Sequence, residues 1–285
     1  GWFTGMQNAV IPMATAIAVN LIHIGCSFAF AFGLDMGIVG IAYASVLAQY
    51  TGVGLSVALL MGRYRGMLTK IDWRRVLAIE PLKEFFRINR DIMLRTLCNV
   101  AVYTFFTGIS ARMGDKNLLA INTLLMQLFT LFSYIMDGFA YAGEALAGKH
   151  IGADNRPALR TMVRQLFVWG IALALAFTLI YGIGGEGFLS LLTNEESVIT
   201  ASSTYFYWVL AIPLAGFAAF LYDGIFIGAT ATGLMLRAMF VASVAFFLIY
   251  FGCREAMGNH ALWLAFITYL SLRGIVQGYL GRKIL

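Results

Sequence analysis

The sequence predicts an all-α polytopic membrane protein, and three observations carry that prediction. Sixty per cent of the residues are hydrophobic and only 12% are charged. The mean hydropathy of +0.81 lies outside the range of soluble domains. Apolar windows long enough to cross a bilayer, ~17–25 residues each, recur at roughly 12–33, 38–61, 92–113, 117–143, 163–184, 199–225, 233–252 and 260–280. They predict eight transmembrane helices and leave little chain for a soluble domain. Each window runs well beyond the ~10-residue alternating segments of a membrane barrel, so strands are excluded.

Taken in order, each span carries few polar residues. In the first, Asn20 and His23 lie close to one turn apart. The histidine either titrates near physiological pH or hydrogen-bonds a neighbouring helix. The second span leads into a segment, 62–89, where Trp73, Val76, Leu77, Ile79 and Leu82 are set among basic residues. This pattern predicts either a short helix at the headgroup level or a polar linker with an interfacial anchor. The third span contains Arg95, and its Asn99, Tyr103 and Thr107 repeat every four residues. Pro213 lies within the sixth span and predicts a kink, with the Val209 carbonyl left without its helical donor. Arg273 and Gln277 lie near the inner end of the eighth span, where the arginine is expected to snorkel to the headgroups. Cys26, Cys98 and Cys253 fall within spans and read as small buried hydrophobes.

Charge orients these helices. Arg63, Arg65, Lys70, Arg74, Arg75, Lys83, Arg87 and Arg90 lie between the second and third spans, and Lys149, Arg156, Arg160 and Arg164 between the fourth and fifth. The opposite side has Arg112, Lys116 and Arg254 beside six carboxylates. The positive-inside rule therefore places both termini in the cytoplasm, as an even number of crossings requires. The net charge of +6 is read as this topological bias, and no exposed basic module suggests a nucleic-acid partner.

The fourth span contains the clearest functional signal. Thr123, Gln127, Thr130, Tyr134, Asp137, Tyr141 and Glu144 follow one another in steps of three and four, which puts all of them on one helix face. A carboxylate inside hydrocarbon costs at least ~2.5 kcal/mol. The stripe therefore predicts a wet interior surface or a polar seam between packed helices. Arg95 and Asp223 lie near the same inner face as Asp137, and Arg95 is expected to pair with one of the two aspartates. Asp137 and Glu144 are two turns apart, ~10 Å at 1.5 Å per residue, too far to share a proton directly. The chain has neither a phosphate-binding Gly-Lys-Ser/Thr loop nor a His-Glu-x-x-His metal motif, so enzyme, metal and cofactor roles are not expected.

Phe3-Thr4-Gly5 and Phe226-Ile227-Gly228 open similar segments 223 residues apart. The same offset carries the first span onto the seventh and the second onto the eighth, which predicts a parallel internal repeat. The runs INRDIMLRTLCNVAVYTFFTGISARMGD, IMDGFAYAGEALAGKHIGA, LYDGIFIGATATG and GNHALWLAFITYLSLRG resemble the DinF branch of the multidrug and toxic compound extrusion (MATE) transporters. The resemblance covers essentially the whole chain.

The resemblance implies the C-terminal two-thirds of a twelve-helix fold with two six-helix lobes. Residues 1–61 would be the last two helices of the N-terminal lobe, 62–89 a cytoplasmic interlobe linker, and 90–285 the complete C-terminal lobe. The first four helices, including the aspartate that this branch uses for proton coupling, would lie outside the chain. The implied activity is efflux of amphipathic, cationic organic compounds across a bacterial inner membrane, driven by H⁺ or, as second choice, Na⁺. A lipid or lipid-linked-oligosaccharide flippase and a transport-inactive scaffold are the alternatives. Asp223 matches an acidic position of the cation site in sodium-coupled relatives, whereas Asn99 stands where they carry a glutamate. The expected pathway residues are Asp137, Glu144, Asp223, Arg95, Asn99, Tyr134, Tyr141 and Gln127.

Overall fold

A computed structural model describes residues 2–68, 78–113, 116–282 and 284. Among these the chain is helical, with no strand. Eight helices among the described residues are long and apolar enough to cross a membrane, one for each predicted window. The helices form two compact units, Gly1–Lys83 and Glu84–Leu285.

In the first unit, α1 (Trp2–Gly5) is a single turn before α2 (Val10–Phe28) and α3 (Gly37–Leu68). The end of the first span widens into a π-helical turn, Ala29–Gly33, closed by Leu34 N–H donating to the Ala29 carbonyl at 3.0 Å. Gly40, Ala44, Ala48 and Gly52 recur every four residues on α3 and are buried. Small residues at this spacing allow close helix approach in a membrane. A Cβ on Gly52 would lie 2.5 Å from Val19 Cγ2 of α2. The His23 ring stands 2.9 Å from Ser45 Oγ, whose own proton goes to the Ile41 carbonyl. His23 Nε2–H must therefore donate, and the ring serves as the interhelical link that was one of the two readings. Asn20 bonds back to the Ala16 carbonyl of its own helix at 2.9 Å.

Within 62–89, Trp73, Val76 and Leu77 lie outside the described residues. The described ends of the segment are helical: α3 continues through Leu68, and α4 (Ile79–Arg112) already includes Ile79 and Leu82. Pro81 is tolerated there because the first turn has no intrahelical acceptor for its missing N–H.

The second unit holds α4 together with α5 (Lys116–Gly152), α6 (Arg156–Leu192), the short α7 (Glu196–Ser202), α8 (Phe206–Gly228), α9 (Thr232–Met257) and α10 (Asn259–Gly281). Asn155 caps α6, its side chain accepting from Ala158 N–H at 3.1 Å, and Pro157 follows in the first turn. The same helix is interrupted at Gly185, where φ is +33°, at the end of the fifth span. Helix α8 packs against α5, α6 and α10, and it runs unbroken through Pro213. The Thr178 hydroxyl of α6 donates to the Leu210 carbonyl at 3.2 Å, one residue beyond the Val209 carbonyl that the proline leaves without a donor.

The core is aromatic. Trp263, Phe106, Phe132, Phe246, Phe266 and Tyr269 are fully buried, and Phe106 meets Trp263 edge-on with ring centroids 5.1 Å apart. A buried polar network closes the end of the unit opposite the arginine-rich turns. Asn122 donates to Ser110 Oγ and Asn259 Oδ1, each at 2.8 Å, and accepts from Trp263 Nε1–H at 2.8 Å. Asn259 returns a donor to Asn122 Oδ1 at 3.0 Å. This network joins α4, α5 and α10 with its buried amides satisfied.

Candidate functional site

Glycine brings two site-bearing helices into backbone contact. A Cβ on Gly224 would collide with the Ala140 carbonyl, and one on Gly228 with the Glu144 carbonyl. The four-residue spacing of Gly224 and Gly228 gives α8 a groove in which the Ala140–Glu144 turn of α5 lies. The sequence thereby fixes Asp223 on one wall and Asp137, Tyr141 and Glu144 on the next. Helix α4 completes the site through side chains, with Tyr103 packed 5.9 Å from the rings of Phe129 and Phe266.

Between these walls lies a cavity of about 340 Å³. Arg95, Asn99 and Tyr103 line it from α4, Ser133, Asp137, Tyr141 and Glu144 from α5, Phe220 and Asp223 from α8, and Arg273 from α10. Asp223 is buried and fully engaged. Arg273 Nη2 donates to its Oδ2 at 2.5 Å, Gln277 Nε2 to its Oδ1 at 2.5 Å, and Arg95 Nη2 also pairs with Oδ2. The Arg273 guanidinium lies 5.4 Å from the centre of the Phe220 ring and 5.9 Å from that of Tyr269, within cation–π range. Asn99 Oδ1 accepts from the Tyr269 hydroxyl at 2.7 Å. In contrast, Asp137 and Glu144 are half-buried on the cavity wall and form no ion pair among the described residues.

Six of the expected pathway residues thus share one cavity: Asp137, Glu144, Asp223, Arg95, Asn99 and Tyr141. Arg95 pairs with Asp223, one of its two expected partners. Gln127 and Tyr134 are elsewhere. The α5 stripe is a continuous helix face, but only its half nearest Glu144 meets α4, α8 and α10. Tyr134 is 72% exposed. Gln127 lines a separate cavity of about 400 Å³ with Thr123, Thr193 and Glu195. Thr107 is exposed and outside the main cavity.

Arg273 and Gln277 correct the snorkelling expectation. The Arg273 side chain is 3% exposed, and both residues turn inward onto Asp223. Burying a guanidinium is tolerable because a carboxylate and two ring faces receive it. The signal was present in the sequence, since Tyr269, Arg273 and Gln277 recur every four residues on one face of α10. A second buried carboxylate, Asp91, plays a structural part. It accepts from Thr232 Oγ1 at 3.3 Å in the first turn of α9 and from Arg90 Nη2 at 2.9 Å. Its negative charge suits the positive end of the α9 dipole.

Comparison with known proteins agrees with this architecture. The MatE family model matches residues 92–251. DNA damage-inducible protein F of Escherichia coli is 33% identical over 99% of this chain and 61% of its own length. Protein DETOXIFICATION 42 of Arabidopsis thaliana is 24% identical over 97% of this chain and 52% of its own length. Among solved structures, a Vibrio cholerae MATE transporter superposes with a TM-score of 0.86 at 15% identity, covering 99% of this chain and 64% of that one. The chain therefore spans a little over half to three-fifths of the length of these curated relatives. Eight bilayer-length helices in the MATE arrangement, with the family model matched across most of the second unit, establish that this chain is a multi-pass membrane protein of the MatE family.

Proposed function

We propose that the protein works in secondary active efflux of amphipathic organic cations from the bacterial cytoplasm, by alternating access across the inner membrane. The observation that carries this reading is the unequal treatment of the cavity's carboxylates. Asp223 is neutralised by protein cations, while the Asp137 and Glu144 carboxyl groups face a cavity with aromatic and polar walls and form no ion pair among the described residues. A cation with apolar bulk suits such a site. A lipid-phosphate cargo would need free guanidinium groups, and both arginines here are already engaged with Asp223.

In this reading residues 1–61 contribute the last two helices of an N-terminal lobe, 62–89 the cytoplasmic interlobe linker, and 90–285 the C-terminal lobe of a twelve-helix transporter. Both termini of the chain face the cytoplasm under the positive-inside rule. Protons rather than Na⁺ drive the cycle. A hard cation needs several free oxygen ligands, whereas Asp223 accepts three N–H donors and Asn99 Oδ1 already accepts from Tyr269.

Full-length protein in proteoliposomes separates these drivers. Counterflow of ethidium is expected under an imposed pH gradient without sodium, and an isosmotic Na⁺ gradient at constant pH should give none. Transport driven by Na⁺ alone would overturn the coupling assignment, and the absence of transport under either gradient would overturn the efflux reading.

A further inference from the structure

The Asp223 cluster holds more positive charge than its carboxylate requires. Arg273 and Gln277, both buried on α10, already engage both oxygens of Asp223 at 2.5 Å. Arg95 reaches the same Oδ2 from the opposite wall, yet its side chain is 20% exposed and lines the cavity. By contrast, the Arg273 side chain is only 3% exposed. Both guanidiniums stay paired with Asp223, and Arg95 is the more exposed of the two, so its charge is the one that lies nearer to cargo.

The cavity walls carry three carboxylates, Asp137, Glu144 and Asp223, against the guanidiniums of Arg95 and Arg273. With all of them ionised the net charge is −1. A cavity of about 340 Å³ is narrower than the ~10 Å screening length at 0.1 M salt, so any cargo charge inside it feels Arg95 almost unscreened. One positive charge balances the site. A second meets Arg95 with no carboxylate left to offset it.

Resting on the cation-site reading above, we propose that Arg95 is a specificity-determining residue that restricts the cavity to singly charged organic cations and disfavours dications. It acts as a fixed counter-charge, an instance of discrimination by a repulsive element rather than by added attraction. Loss of its charge should leave Asp223 held by Arg273 and Gln277, while the net cavity charge moves to −2.

The probes are a pair matched in shape: N-methyl-4-phenylpyridinium, with one charge, and N,N′-dimethyl-4,4′-bipyridinium, with two. Their dissociation constants are measured by calorimetry on the purified protein in lipid nanodiscs. The wild-type protein is expected to favour the monocation. Arg95→Gln should shift the dication-to-monocation preference at least about tenfold toward the dication, and Arg95→Lys should keep the wild-type ratio. Should Arg95→Gln fail to fold, Arg95→Met removes the same charge and carries the same expectation. Monocation binding with a ratio unchanged within twofold in the charge-free variants would overturn the role of Arg95 alone. A wild-type protein that binds neither probe would overturn the cation-site reading beneath it.

Discussion

Asp137→Asn is expected to lower export of a cationic dye about tenfold, equivalent to roughly 1.4 kcal/mol, with the protein still inserted and folded. Asparagine keeps the size and hydrogen-bonding capacity of the side chain and removes only its charge. Asp137 forms no ion pair among the described residues, so its loss strands no buried cation. The measurement is ethidium retention in an efflux-deficient bacterium expressing the full-length protein, normalised to membrane abundance. Normal export by Asp137→Asn combined with misfolding of Asp137→Ala would make the residue structural and shift cargo recognition to Glu144.

The second large effect is expected at Asp223, and there it falls on the fold. Asp223→Ala leaves Arg95 and Arg273 facing each other in a buried site with their shared carboxylate removed. Breaking a buried pair by deleting one partner costs roughly 3–5 kcal/mol, because an uncompensated charge stays behind. The variant should show a clearly lowered midpoint in thermal denaturation of detergent-solubilised protein. Adding Arg273→Met should recover most of the loss, since it removes the buried cation and keeps apolar bulk beside Phe220. Unchanged stability in Asp223→Ala would show that the cluster is hydrated well enough to need no counter-charge. The two aspartates are thus distinguished by what surrounds them: substitution of one is expected to impair transport, and substitution of the other folding.

Bilayer length made the eight helices legible in sequence, because a span must satisfy its own backbone and therefore shows as an uninterrupted apolar run. Helix ends were less visible. Positions 62–68 and 79–89 are polar enough to read as linker, yet their backbone continues α3 and α4 beyond the apolar windows. The stripe on α5 was equally plain, since a 3.6-residue period needs no tertiary information. Which part of the stripe would be enclosed was hidden, because it depends on where Gly224 and Gly228 allow α8 to approach. Arg273 was misread for a related reason. An arginine near a helix end has a low-cost escape to the headgroups, and only the neighbouring positions of Asp223 and Phe220 show that it is held inside instead. The Asn122–Asn259 pair brings together residues 137 positions apart and left no local signal.

The central claim is that the cavity lined by Asp137 and Glu144 receives an organic cation. Anomalous diffraction from crystals of the protein soaked with a bromine-labelled N-methyl-4-phenylpyridinium tests it most directly. The account predicts a bromine peak inside the cavity, with the ring nitrogen beside the Asp137 and Glu144 carboxylates, and its loss in Asp137→Asn. A bromine peak at the Gln127–Glu195 cavity with none near Asp137, or a peak unchanged by Asp137→Asn, would contradict it.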